Sequence, residues 1–172
     1  MLTSSDATIG HLEQLIELAA RYDDPAWTHP QAIFNGSTCG QHVRHTLDHI
    51  ERLLEGIPKG IIDYDARKRD PEIESSTDAA SSRCKTLIES IDAITHHYPY
   101  DHVVHVCSSC SETDEASQDS STVGREFQFL VSHNVHHFAI IGAISKSLSI
   151  ETPENFGTAP STIKYRQMVT PT

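Results

Sequence analysis

Apolar residues recur every three or four positions in four stretches of this chain, which is the spacing of helices that bury one face. The stretches cover residues 6–22, 38–55, 73–96 and 122–148. Four helices of this length, joined by shorter polar segments, are typical of a helical bundle. The pattern therefore predicts an all-α protein, an antiparallel four-helix bundle, in which residues 1–172 form a single domain.

The segments between the predicted helices interrupt the apolar pattern in different ways. Proline and glycine punctuate the connector of residues 57–71, "IPKGIIDYDARKRDP". The stretch "YPYDHVVHVC", residues 98–107, predicts a short strand before the last helix. The polar, serine-rich stretch that follows, residues 107–121, predicts a loop. From about residue 150 onward the chain has no periodicity, and we expect an irregular tail there.

The chain is acidic, with 24 Asp and Glu residues against 13 Lys and Arg residues and a formal net charge of −11. Binding to nucleic-acid phosphates requires clustered Lys and Arg, so this charge argues against a nucleic acid as partner. An apolar run of about 18 residues, as a membrane span requires, is absent. The start of the sequence, "MLTSSDATIG", lacks the regions of a secretory signal. We therefore expect a cytoplasmic protein with no membrane partner.

Histidine is unusually abundant, because 12 His residues outnumber the 5 Tyr and 5 Phe residues together. Two of them, His133 and His137, are one helical turn apart on the flank of an apolar stripe, a spacing at which two imidazoles can bind one metal ion. The segment "HNVHH" differs from the zinc-protease pattern H-E-x-x-H at Asn134, whose carboxamide cannot replace the glutamate base. A zinc protease is therefore excluded. His136 faces away from the stripe.

A catalytic metal site usually has three protein ligands, so a third one is expected from another helix. The predicted helix over residues 38–55 contains His42, His45 and His49. On a helical wheel, His42 and His49 lie closer to the apolar stripe than His45 does, so periodicity alone favours one of these two. Two histidine-rich helices in one bundle favour a metal site over separate packing roles for each histidine.

Two segments, "STCGQHVRHTLDHIERLLEG" and "SHNVHHFAIIG", resemble the DinB-like superfamily of metal-binding four-helix bundles. The family pattern has a His followed three residues later by an Asp on the second helix, which His45 and Asp48 match. It also has H-x-x-x-H on the last helix, which His133 and His137 match. The segments "IDYDARKRD" and "FGTAPST" resemble one uncharacterised branch of the family. The resemblance implies that His45 completes a metal-binding triad with His133 and His137.

The resemblance also implies a chemistry for this triad. In the family the triad binds a divalent ion such as Zn, Ni, Mn or Fe, and an open coordination position lowers the pKa of a water or a thiol. Several relatives are thiol-dependent transferases or isomerases, and others are hydrolases. We therefore expect a metalloenzyme that acts on a small-molecule substrate, with a low-molecular-weight thiol as a further cofactor, and a homodimer. The alternatives are a non-catalytic protein that binds or senses a metal or a ligand, and a structural dimer with a vestigial triad.

Two carboxylates are candidates for catalysis. Glu126 shares a helix face with His133 and is a candidate proton acceptor, or else a charge in the first turn of its helix. Asp48 follows His45 by three positions and is a candidate acceptor that orients its imidazole, or else a solvated helix carboxylate. The sequence leaves both alternatives open.

Further polar residues are candidates for binding a substrate. Arg67 and Arg69 could bind an anionic substrate or the carboxylates of a thiol cofactor, or else form ion pairs within the connector. His49 is a candidate for contact with the substrate. Cys107 and Cys110 form one C-x-x-C motif without the second pair that a structural zinc site requires, so we interpret them as loop thiols.

Overall fold

The structure is a computed structural model that describes residues 2–109 and 117–169. Four long helices dominate the described residues: α1 (Ser4–Ala19), α3 (Cys39–Gly56), α5 (Thr77–His97) and α6 (Val123–Ser147). Three shorter helices accompany them: α2 (Asp24–Trp27), α4 (Pro71–Ser75) and α7 (Pro160–Val169). The described residues also form two short 3-10 helices, Ala32–Phe34 and Ile57–Lys59, and three strands: β1 (Ile61–Asp63), β2 (Val103–Ser108) and β3 (Ser117–Thr122).

A hydroxyl residue immediately before each long helix caps its first turn. The side chain of Thr38 accepts a hydrogen bond from the backbone of Gln41, and the Gln41 side chain accepts one from the backbone of Thr38. Thr3, Ser76 and Thr122 cap α1, α5 and α6 in a similar way. Such caps pair backbone N–H groups that have no partner inside the helix. The four predicted helices are confirmed to within a few residues at each end.

The core lies between the four long helices. Helix α1 packs against α5 and α6, and α3 packs against the same two helices. The fully or almost fully buried apolar side chains of these helices include Leu12, Leu15, Leu18, Val43, Leu47, Ile50, Ile91, Phe127, Leu130, Phe138 and Ile141. Packing of α3 against α6 is what brings the two histidine-rich segments together.

A small sheet of three strands accompanies the helices, so the protein is mostly helical, with two strands more than the single short strand that the sequence predicted. Strand β2 pairs in parallel with β1 and antiparallel with β3, with Ile61 opposite His105 and Val103 opposite Thr122. The predicted strand over 98–107 is confirmed in its second half, where β2 covers Val103–Ser108. The prediction of a loop over 107–121 is wrong where β3 begins, at Ser117. The β3 sequence "SQDSST" pairs with β2 through its backbone although it carries no apolar side chain.

The end of the chain is more regular than the sequence indicates. Helix α7 replaces part of the predicted irregular tail, and that prediction is wrong over Pro160–Val169. Before α7, Phe156 stacks on Phe138 of α6, with ring centroids 4.4 Å apart. Gly157 has a positive φ of 67°, and a Cβ there would lie 2.6 Å from the backbone nitrogen of Ala139. The tail therefore approaches α6 so closely that only glycine fits this position.

Among the described residues, no helix combines the length and the apolar character that crossing a membrane requires.

Candidate metal centre

Helices α3 and α6 bring histidines from both segments into direct contact. Nε2 of His45 lies 3.2 Å from Nε2 of His133, and Nδ1 of His42 lies 3.3 Å from Nδ1 of His137. The ring of His137 is 4.4 Å from that of His45 and 4.6 Å from that of His133, measured between centroids. The three histidines predicted as ligands, His45, His133 and His137, are therefore neighbours in the structure.

His49 belongs to the same group. Its ring lies 4.1 Å from that of His133 and 4.4 Å from that of His45. The candidate ligand atoms of His45, His49 and His133 all lie within 4.8 Å of one another, so these three residues could hold a metal ion. Nδ1 of His49 donates to the backbone carbonyl of His45 at 3.0 Å, which leaves Nε2 with its lone pair. We call His42, His45, His49, His133 and His137 the histidine cluster.

Burial keeps the cluster uncharged. It lowers the pKa of His45 to about 2, of His133 to about 3 and of His137 to about 4, and the neighbouring imidazoles lower these values further. The pKa values of His42 and His49 are lowered too, again mainly by burial. Neutral imidazole is the form that binds a metal, so no imidazolium proton has to be lost before an ion binds at neutral pH.

Two ring nitrogens in the cluster give a further indication that these residues fit a cation. Nε2 of His42 and Nδ1 of His133 are buried and have no hydrogen-bond partner among the described residues. A buried polar atom without a partner costs free energy, and a metal or a bound molecule is one way to satisfy it. The neutral imidazole donors and these two unpaired ring nitrogens therefore both fit a bound cation.

Arg67 lies against the cluster, whereas Arg69 does not. Nη1 of Arg67 donates to Nδ1 of His45 at 3.0 Å, and its Nε is buried without a hydrogen-bond partner among the described residues. Arg69 is exposed, with a positive φ of 53° that turns the backbone, and no described contact joins its side chain to the cluster. The structure thus brings one of the two predicted substrate-binding arginines to the site.

Asp48 has a different partner from the one expected. Its carboxylate is only 3% exposed and accepts a hydrogen bond from Nη1 of Arg44 at 2.9 Å, and Arg44 also pairs with Glu74 at 2.9 Å. The partner that the structure gives Asp48 is thus Arg44, one helical turn earlier, and the role of Asp48 in orienting His45 remains a prediction.

Glu126 is buried and held by two hydroxyl groups. Its Oε2 accepts from the Tyr64 hydroxyl at 2.8 Å, and its Oε1 accepts from the Ser121 hydroxyl at 2.5 Å. These contacts join α6 to the residue after β1 and to β3. Glu126 thus makes the hydrogen bonds of a structural carboxylate. Its role as a proton acceptor remains a prediction.

A cavity of about 350 Å³ adjoins the cluster at His49. Its lining residues are His49, Tyr64, Asp65, Val106, Arg125, Glu126 and Phe129. The ring of Tyr64 stacks on that of His49 with centroids 5.5 Å apart. Phe129 lies 5.2 Å from Tyr64 and 5.6 Å from His133. Sequence reasoning missed Tyr64 and Phe129, although Phe129 precedes His133 by one helical turn.

The remaining sequence predictions have simpler outcomes. His136 is exposed, as its position on the helical wheel predicted, although its ring touches that of His137. Asn134 is fully buried, with its amide nitrogen 3.4 Å from Nδ1 of His11. Cys107 is a half-buried free thiol in β2. Cys110 lies outside the described residues, so the interpretation of the C-x-x-C motif stays a prediction.

Comparison with known proteins agrees with this site. Residues 7–141 match the sequence profile of the DinB superfamily, and the match includes all five cluster histidines. The chain is also 32% identical over 108 residues to "FK506-binding protein 5" of Rhizopus delemar, a match that covers 61% of this chain and 27% of that protein. The chain thus spans only about a quarter of that relative's length. No solved structure matches significantly. On the strength of the profile match, which covers most of its length, the chain belongs to the DinB superfamily.

Proposed function

We propose that this protein binds a divalent cation through His45, His133 and His137 and uses it to act on a small molecule, as a thiol-dependent transferase or a hydrolase. The observation that supports this proposal is the convergence of neutral imidazoles from α3 and α6 beside a cavity. An all-imidazole donor set favours Zn, Ni or Fe over metals that prefer carboxylate oxygens. The pairwise packing of the long helices supports an antiparallel four-helix bundle as the framework.

The chain's own residues have distinct tasks in this proposal. When bound, the cation supplies Lewis-acid chemistry, which lowers the pKa of a coordinated water or thiol. His49 lies on the cavity side of the cluster and contacts the bound molecule through Nε2. Arg67 provides a guanidinium for an anionic group of the substrate or of the thiol. Tyr64 and Phe129 exclude water from the cavity side.

A second ligand set is supported by one observation. The candidate ligand atoms of His45, His49 and His133 are mutually close, which makes His49 the competitor of His137 for the third position. Metal content after repletion with Zn²⁺ and dialysis distinguishes the two sets. We expect His137→Ala to lose the ion and His49→Ala to keep it. His97→Ala, an exposed histidine on α5, is the matched control and should bind as the wild type does.

Three outcomes revise the proposal. A wild-type protein without metal after repletion would contradict metal binding altogether. Loss of metal in His49→Ala with retention in His137→Ala would transfer the third ligand position to His49. If the metal-loaded protein turns over neither electrophiles with a panel of low-molecular-weight thiols nor small esters and amides, the non-catalytic alternative replaces the enzymatic one.

A further inference from the structure

The cavity beside the cluster has aromatic walls on the side of the histidines. Phe129 is half-buried and touches both Tyr64 and His133, so its ring forms a wall of the cavity next to the cluster. Tyr64 is almost fully buried, and its hydrogen bond to Glu126 holds the ring in place. Val106 of β2 adds an apolar wall. These surfaces suit the face of a planar apolar ring.

The positive charge of a bound cation and of Arg67 favours an anionic ligand at the cluster. A divalent cation held by the neutral imidazoles would lie next to the Arg67 guanidinium. The positive charges of the cation and of Arg67 would then share one half-buried region. Among the described residues, no carboxylate forms a hydrogen bond with a cluster histidine. Both oxygens of Glu126 already accept hydroxyl groups, and Asp65 accepts from the backbone of Ser109. Asp65 also attracts Arg67 and His49 electrostatically, but it is exposed, so water screens its charge. Buried charges are normally paired, so the missing negative charge is expected from the ligand.

Resting on the metal binding proposed above, we infer that the substrate is a small aromatic anion. Its ring lies in the cavity against Phe129 and Tyr64, and its anionic oxygens face Arg67 and the histidine cluster. The cavity of about 350 Å³ is at the small end for ligand pockets, which fits one ring with a short head group better than a nucleotide or a peptide. Arg67 lies beside His45 rather than in the cavity lining, and its guanidinium, whose Nε lacks a partner among the described residues, supplies the positive charge that such a head group faces.

Two hydroxamates that share a head group but differ in the ring test this inference. Benzohydroxamate and acetohydroxamate both bind divalent metals as anions, and only the first carries an aromatic ring. Their affinities for the Co²⁺-loaded full chain are measured by calorimetry and by the visible absorption of Co²⁺. We expect benzohydroxamate to bind about tenfold more tightly, because ring contacts and ring burial are worth about that factor.

Two substitutions separate the ring from the head group. In Phe129→Ala the preference for benzohydroxamate should disappear, while the Co²⁺ content stays that of the wild type. Phe156→Ala is the matched control, because this half-buried phenylalanine stacks on Phe138 and does not line the cavity. Arg67→Gln should weaken both hydroxamates by the same factor, about tenfold or more, since it removes charged donors to the shared head group. Arg67→Lys should restore part of that loss.

The outcomes distinguish this inference from the proposed function. If the wild type takes up no Co²⁺, both fail. If it takes up Co²⁺ but binds the two hydroxamates equally, the inference is overturned and metal binding stands. A preference for the ring that survives in both Phe129→Ala and Phe129→Leu would also overturn it, because the ring would then lie elsewhere. Unfolding curves of each variant verify that the comparison is made on folded protein.

Discussion

The hydrogen bond between Tyr64 and Glu126 allows a quantitative test of how the sheet is held against α6. The Tyr64→Phe substitution removes one hydroxyl and leaves the ring. In the wild type this hydroxyl donates to a carboxylate that is 6% exposed, at a distance of 2.8 Å. Burial and the Glu126 carboxylate raise the pKa of Tyr64, so its hydroxyl stays protonated and remains a donor at neutral pH.

The expected loss follows from the charge and burial of the acceptor. A hydrogen bond to a charged group contributes about 1.5–3 kcal/mol to stability, compared with about 0.5–1.5 kcal/mol for a neutral pair. Glu126 keeps the hydrogen bond from Ser121 in the variant, so only one donor is lost. We therefore expect Tyr64→Phe to lower the free energy of unfolding by about 1.5–3 kcal/mol. In a Glu126→Gln background, the same substitution should cost only about 0.5–1.5 kcal/mol.

Urea unfolding of the metal-free protein, followed by circular dichroism, measures these free energies by linear extrapolation. Tyr165→Phe is the matched control, because Tyr165 is 62% exposed and its substitution should change stability by less than about 0.5 kcal/mol. Equal losses in Tyr64→Phe and Tyr165→Phe would refute this reasoning. A loss that is the same with Glu126 and with Gln at position 126 would refute it as well, because the double-mutant cycle would contain no coupling.

Three further predictions concern the helices and the cluster. Because burial lowers the pKa values of His45, His133 and His137 to between about 2 and about 4, these three residues bind more protons in the unfolded chain than in the folded chain below a pH of about 6.5. The metal-free protein should therefore lose stability as the pH falls from 6.5 towards 4, and a melting temperature that is constant over this window would contradict it. Gly40→Ala should lower the free energy of unfolding by about 1–3 kcal/mol in urea titrations, because the new Cβ would lie 2.2 Å from the carbonyl oxygen of Glu74. Gly10→Ala is the control, because Gly10 has open space around it, and this substitution should be neutral or stabilising. Arg44→Met should destabilise by about 3–5 kcal/mol in the same assay, because it leaves the Asp48 carboxylate buried and unpaired, and a loss below 1 kcal/mol would argue against that pairing.

Much of the helical framework could be predicted because its signals are local. Apolar spacing gives the buried face of each long helix without knowledge of its neighbours. The same argument predicted the i, i+4 relation of His133 and His137 and the outward direction of His136. The helical wheel also favoured His42 or His49, and the structure does place both in the cluster.

Other parts of the site depend on contacts between residues far apart in sequence. Strand β3 is polar, and it forms because the backbone of β2 lies beside it. Tyr64 meets Glu126 across 62 positions, and Arg67 meets His45 from a connector whose path no periodicity predicts. Asp48 was a candidate partner of His45 from spacing alone, which could not reveal its ion pair with Arg44. These features follow from the tertiary arrangement rather than from any local pattern.

Metal content of the purified protein after repletion with Zn²⁺ and dialysis, for the wild type and for His133→Ala, tests the central claim most directly. His133 belongs to both ligand sets and touches His45 through Nε2 at 3.2 Å. We predict about one ion per chain in the wild type and loss of that ion in His133→Ala, with the fold retained. A wild type without zinc, or a His133→Ala variant that holds as much zinc as the wild type, would contradict the account.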